Sequence, residues 1–136
     1  IFWRTVAKGL DIVPHLIDKM TDTRPIDIDT YVSGFGGRYA VADIAYQALQ
    51  EIIADLPTFE LLGVSFDEEG CGYCSYWHHV RKSKKNRKNF QYAVRQWYEK
   101  HKEMLVWEEG QYSLTGDCSR PNGGYYRVKT DDRALP

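Results

Sequence analysis

Apolar side chains recur every three or four residues along three stretches of the chain, and this spacing places them on one face of an α-helix. The three stretches are residues 11–22, 41–57 and 83–104. Asp11 before the first stretch and Asp43 early in the second favour helix N-termini. Pro14 fits the first turn of the first helix, and Pro57 ends the second. The pattern therefore predicts helices that share one core. The core-forming segments are expected at 13–20, 41–53 and 90–104.

Other stretches predict short helices, loops and extended segments. Phe2 begins a shorter apolar stripe at helical spacing, and Gly9 is expected to end or bend that helix. Residues 23–40 read as a long connection with a turn at Gly34–Gly37. Residues 59–66 read as a buried strand or an apolar extended segment.

The C-terminal region predicts a small amount of β-structure. Residues 104–114 and 123–128 read as short strands, placed around a Glu-Glu-Gly-Gln turn and an Asn122-Gly123 turn. The expected fold class is mainly α with α+β character, that is, a compact helical domain with a small β-hairpin or sheet element toward the C-terminus. One globular domain is expected over residues 1–128, followed by a polar tail at 129–136.

Composition and charge narrow the class of partner. No apolar run approaches the roughly 20 residues that cross a bilayer, so no membrane span is expected. The formal net charge is −1, which gives no overall attraction to nucleic acid. The basic run at 81–88 lies between aromatic residues. Basic and aromatic side chains together can bind single-stranded nucleic acid through phosphate contacts and base stacking. An acidic protein partner suits this run at least as well, so nucleic acid is not the expected partner.

The N-terminal half resembles one repeat of the HEAT family. Residues 11–22 carry a proline near the start and an aspartate at the end, and 41–53 carry the small residues Ala45 and Ala48. The resemblance covers residues 11–53 and implies a protein–protein role. It departs from the family because 23–40 separate the two helices and no second repeat follows.

The cysteines leave two further hypotheses open. Cys71 and Cys74 form a C-x-x-C frame after an apolar segment, which resembles thioredoxin-like oxidoreductases. That resemblance implies a thiol-disulfide oxidoreductase, with Cys71 as nucleophile and Cys74 as resolving thiol. Alternatively, Cys71 and Cys74 offer two ligands of a small zinc-stabilised domain, and Cys118 with His78 or His79 would complete the tetrahedral site. A structural disulfide between Cys118 and either Cys71 or Cys74 is a third possibility. It would leave one of the three cysteines unpaired.

The leading hypothesis is a non-catalytic domain that binds another protein. No set of nucleophile, base and orienting residue emerges from the sequence, and neither a cofactor nor a bound metal is expected. Aromatic residues make up 14% of the chain, and Tyr, Trp and Arg commonly anchor interfaces. The candidate binding residues are Phe35, Arg38, Tyr39, Tyr73 and Trp77.

An envelope-associated or immunity-inhibitor-like role in a bacterium would suit such a domain. The chain begins at Ile1 rather than Met, which is consistent with a removed leader. A periplasmic or secreted location is therefore slightly favoured over a cytoplasmic one.

Overall fold

A computed structural model describes residues 2–26, 39–63, 79–110 and 123–129, and 69% of these residues are helical. The α-helices are α1 (Phe2–Ala7), α2 (Val13–Asp18), α3 (Val41–Ile52), α4 (Thr58–Leu62) and α5 (Lys84–His101), and residues 79–82 just before α5 are helical as well. Shorter 3₁₀ segments cover Gly9–Ile12, Lys19–Thr21 and Lys102–Met104. Strands β1 (Leu105–Glu109) and β2 (Gly124–Val128) form a two-stranded sheet. The predicted fold class, mainly helical with a small β element near the C-terminus, is confirmed.

The first two helices follow the sequence signals with one exception. Gly9 has a φ of +65°, a conformation that glycine adopts without steric cost, and α1 ends just before it. Pro14 lies in the first turn of α2. Asp11 is not the N-cap of α2, however, because a 3₁₀ turn carries the chain to Ile12, which holds that position without a side-chain hydrogen bond.

Helices α2, α3 and α5 share one core, as predicted. Its members include Val13 and Ile17 from α2, Leu49 from α3 and Phe90 and Val94 from α5. On α5 the inward face continues through Tyr98. The spacing of apolar residues also predicts a seam from Phe90 and Val94 through Trp97 and His101 to Met104, but this prediction is wrong at its end, because 40% of Met104 is exposed. The inward stripe instead follows two steps of four residues from Phe90 through Val94 to Tyr98.

Two side chains of α5 fasten it to the end of α2. The Gln91 side chain donates a hydrogen bond to the backbone oxygen of Ile17 over 2.8 Å. The Arg95 guanidinium lies 2.6 Å from the Asp18 carboxylate. These contacts join residues more than 70 positions apart in the chain, so the core depends on pairing between distant segments.

The strand predicted within 59–66 is wrong where the structure describes it. Thr58–Leu62 is helical instead, with Leu62 turned into the core. Gly63 ends the helix with a φ of +71°, as expected for a glycine just past a helix C-terminus. Residues 64–66 lie outside the described residues.

The C-terminal sheet confirms a strand within each predicted stretch, 104–114 and 123–128; residues 111–114 lie outside the described residues. Strands β1 and β2 pair antiparallel, with Trp107 opposite Tyr126. Glu108 and Glu109 belong to β1, so they do not form the predicted turn. The Ala54 N–H donates to the Tyr126 oxygen over 2.9 Å, which ties the sheet to the segment after α3.

The ends of the long connection 23–40 meet. Pro25 and Ala40 form an antiparallel bridge, and the Ile26 N–H donates to the Tyr39 oxygen over 2.8 Å. The turn predicted at Gly34–Gly37 and residues 130–136 of the tail predicted at 129–136 lie outside the described residues.

Candidate functional site: an apolar groove between three helices

An open groove of about 660 Å³ lies between α1, α2 and α3. Apolar side chains form most of its surface, and a few polar groups stand among them. The lining residues are Phe2, Thr5, Lys8, Ile12, His15, Leu16, Lys19, Ile26, Val41, Ile44, Ala45, Gln47 and Ala48.

Two helical stripes build the long walls of the groove. One wall has Ile12, His15, Leu16 and Lys19, and the other has Val41, Ile44, Ala45 and Ala48. Both sets follow the spacing i, i+3, i+4, i+7, which places side chains on one face of a helix; Ile12 and Lys19 belong to the 3₁₀ segments at the two ends of α2. The neighbouring faces of α2 and α3 enter the core. The groove face of α3 is apolar at all four positions, whereas the α2 side combines Ile12 and Leu16 with His15 and Lys19.

Small side chains keep the groove open on the α3 side. Ala45 and Ala48 are buried beneath it, while Val41 and Ile44 are half-buried along its edge. The helical period alone predicts all four as one inward stripe. The sequence does show that the apolar face of α3 is broad. A face of that width cannot be covered entirely by one neighbouring helix.

The charge of the groove is one-sided. Among the lining residues that the structure describes, the ionisable side chains are Lys8, His15 and Lys19, and none of these described residues is acidic. Two carboxylates close to Lys19 in sequence, those of Asp18 and Asp22, pair with arginines instead. The groove therefore offers apolar walls with a positive edge supplied by the α1–α2 side.

One predicted binding residue borders this groove. Tyr39 is half-buried against the core, and its hydroxyl accepts a hydrogen bond from the Gln47 side chain over 3.5 Å. Gln47 lines the groove, so Tyr39 positions one of its polar groups. The other candidates lie outside the described residues, so their roles remain predictions. They are Phe35, Arg38, Tyr73, Trp77, Cys71, Cys74 and Cys118.

His15 and His101 lie in different surroundings, and neither belongs to an assembled catalytic set within the described residues. His15 is exposed at the groove edge. His101 stacks on Trp97 with ring centroids 4.4 Å apart, and its Nδ1 lies 2.8 Å from the Trp97 oxygen. His101 is thus oriented by its own helix, as a structural residue is.

Sequence reasoning missed one buried charged pair. Arg87 belongs to the basic run 81–88, yet its guanidinium lies 2.9 Å from the Asp43 carboxylate, with only 8% and 1% of the two side chains exposed. The other Asp43 oxygen accepts the Ala40 N–H over 2.8 Å. This pair joins the start of α3 to the start of α5.

Metal-ligating clusters and membrane-spanning helices are absent from the described segments. No three His, Cys, Asp or Glu side chains there lie close enough together to hold a metal ion. No helix in those segments is both long and apolar enough to span a bilayer.

Comparison with known proteins gives no relative from which a role could be carried over. No family model, curated protein or solved structure matches the chain. The HEAT-like pattern over 11–53 therefore remains a resemblance.

Proposed function

We propose that this domain binds another protein by accepting an amphipathic helix of that partner into the groove. The observation that carries the proposal is the pair of matched stripes on α2 and α3 with a positive edge beside them. A helix laid along such a groove inserts apolar side chains at i, i+3, i+4 and i+7.

The groove geometry suits a helix because its walls are themselves helical. Side chains along a helix form ridges that fit the grooves of a neighbouring helix. Ala45 and Ala48 leave room for larger side chains of an incoming helix to approach the α3 backbone. The partner helix would complete a packing that α1, α2 and α3 leave open on one side.

The positive charge along one edge of the groove favours a partner helix that is acidic along the border facing that edge. Lys8, His15 and Lys19 all lie on the α1–α2 side, whereas Gln47 is the polar side chain from α3. A partner helix with Asp or Glu along one border of its apolar face would pair with this edge. Charge complementarity of this kind fixes orientation and speeds association.

A peptide titration followed by NMR tests the proposal. The probe is a helical peptide of about 16 residues, about 24 Å long, with Leu at i, i+3, i+4 and i+7 and Glu along one border. A matched peptide has Lys in place of Glu. The Glu peptide is expected to shift the amide resonances of Ile44, Ala45 and Ala48 and to bind more tightly than the Lys peptide.

Variants of the protein locate the effect. Lys8→Glu with Lys19→Glu should weaken the Glu peptide about tenfold, because two ion pairs are replaced by repulsion. The control, Lys100→Glu with Lys129→Glu, makes the same charge change at exposed positions away from the groove and should leave the affinity unchanged. Ile44→Asp should abolish binding.

Two results would overturn the proposal. One is equal affinity for the Glu and Lys peptides. The other is preferential occupancy of the groove by a small amphiphile such as dodecanoate, with the peptide failing to displace it.

A further inference from the structure

The first half of α5 carries a basic surface that the groove does not use. The sequence from residue 70 to residue 98 contains no Asp or Glu. Within it, Lys82, Lys84, Lys85 and Lys88 are all exposed. Among the described residues, none of these four lysines forms an ion pair.

The structure separates these lysines from the arginines of the same segment. Arg87 is buried against Asp43, and Arg95 pairs with Asp18. Two of the acidic residues that contribute to the formal charge of −1 therefore pair with arginines, and no acidic residue in the described part of the chain pairs with the four lysines. The net charge of the chain underestimates the local attraction to a polyanion.

An exposed tyrosine extends the lysine surface along the helix. Lys84, Lys88 and Tyr92 lie at successive spacings of four residues, so they form one stripe about 12 Å long. Tyr92 is 64% exposed. Asn89 and Gln96, three residues before and four residues after it, are exposed as well. The surface thus combines ammonium groups, an open aromatic ring and two amides.

We propose that this basic face, comprising Lys82, Lys84, Lys85, Lys88, Asn89, Tyr92 and Gln96, binds single-stranded nucleic acid. Lysines contact phosphates, and an exposed ring stacks on a base regardless of its identity. The side-chain amides can hydrogen-bond base edges. Each component of the face has a counterpart in a nucleotide, so the local surface favours a partner that the net charge of the chain argues against.

An acidic protein segment would match the face less completely. Carboxylates would pair with the lysines, but they would leave the ring and the amides of Tyr92, Asn89 and Gln96 without specific counterparts. The first turn of α5 also carries no acidic residue, although acidic groups stabilise that end of a helix. A bound phosphate would supply this negative charge.

Fluorescence anisotropy with a labelled oligo(dT) of about 12 nucleotides, a length within the usual range for single-strand sites, tests the proposal. Titrations run from about 50 mM to about 200 mM salt. Lys84→Gln with Lys88→Gln should weaken binding and reduce the salt slope of log K by about 1.4, because each neutralised phosphate of a single strand contributes about 0.7. Lys100→Gln with Lys129→Gln removes the same charge elsewhere and should preserve both.

The role of Tyr92 separates nucleic acid from other polyanions. Tyr92→Ala should weaken oligonucleotide binding about 5- to 150-fold, the range expected when one base no longer stacks on a ring, and Tyr92→Phe should restore it. A polyglutamate peptide should bind more weakly than the oligonucleotide and should not respond to Tyr92→Ala.

Three results would overturn the proposal. The first is no oligonucleotide binding at the lowest salt concentration, and the second is an equal loss of oligonucleotide affinity in both lysine double variants. The third is polyglutamate binding as tight as oligonucleotide binding, together with no effect of Tyr92→Ala on oligonucleotide affinity. Circular dichroism should show folded protein for every variant. The peptide titration of the groove uses different residues, so each proposal can fail without the other.

Discussion

Loss of the Arg87 side chain should destabilise the fold far more than loss of an exposed arginine on the same helix. Arg87→Met would remove the ion pair between the Arg87 guanidinium and the Asp43 carboxylate, whose side chains are only 8% and 1% exposed. The Ala40 N–H would still donate to the other carboxylate oxygen. The variant therefore removes a charge-assisted contact from the protein interior.

The expected magnitude follows from the burial of the pair. Removing one partner of a buried ion pair typically lowers the free energy of unfolding by about 3–5 kcal/mol. Typical domains have only about 5–15 kcal/mol in total. For a chain of this size, such a loss corresponds to a fall in melting temperature of about 10–15 °C.

Arg95→Met is the matched control. Arg95 lies on the same helix and also contacts an aspartate, Asp18, but 40% and 67% of these side chains are exposed. Exposed pairs contribute at most about 1 kcal/mol, so this variant should melt close to the parent protein.

A second variant tests the cause of the Arg87 effect. Combining Asp43→Asn with Arg87→Met removes the buried charge and keeps an oxygen that can accept the Ala40 N–H. It should recover most of the stability in urea unfolding followed by circular dichroism. Equal destabilisation by Arg87→Met and Arg95→Met, or no recovery in the double variant, would refute the reasoning.

Two further predictions concern Asp22 and the C-terminal sheet. Side-chain hydrogen bonds from Arg24 lower the pKa of Asp22 from the usual 3.8 to about 2, so this pair stabilises the fold above pH 3.8 and loses its effect as the pH falls toward 2. NMR titration of Arg24→Gln should therefore show the Asp22 midpoint moving back toward 3.8; an unchanged midpoint would contradict this cause. Gly124→Ala should lower the melting temperature more than Gly63→Ala, because a Cβ at Gly124 would collide with the Glu108 backbone oxygen, whereas a Cβ at Gly63 meets no neighbour and carries only the strain of a left-handed φ of +71°; equal melting temperatures would argue against that collision.

The helices and their shared core could be predicted from sequence because they depend on local period and on helix-end residues. Pro14 and Gly9 act through their own backbone geometry, so their roles follow from position alone. The segment 59–66 was harder, because a short apolar run fits a strand as well as a helix. Only the packing of Leu62 and the conformation of Gly63 decide between them.

The candidate site was less predictable, because it depends on which apolar helix faces pack against another helix in the folded protein. The helical period of α3 places Val41 and Ile44 on an apolar face. It does not tell whether another helix packs against that face. The basic run 81–88 likewise gives no sign that Arg87 turns inward. That choice depends on Asp43, which is 44 residues away in the chain.

The attachment of α5 to the end of α2 has a consequence for biosynthesis. Arg95 and Asp18 are separated by 77 residues, and ribosomes add about 5–20 residues per second. After α2 has been synthesised, its apolar face is therefore exposed for about 4–15 s before the helix that covers it is complete. During that interval the nascent chain exposes its future core, so its yield in a cell should depend on chaperone capacity as well as on the stability of the finished fold.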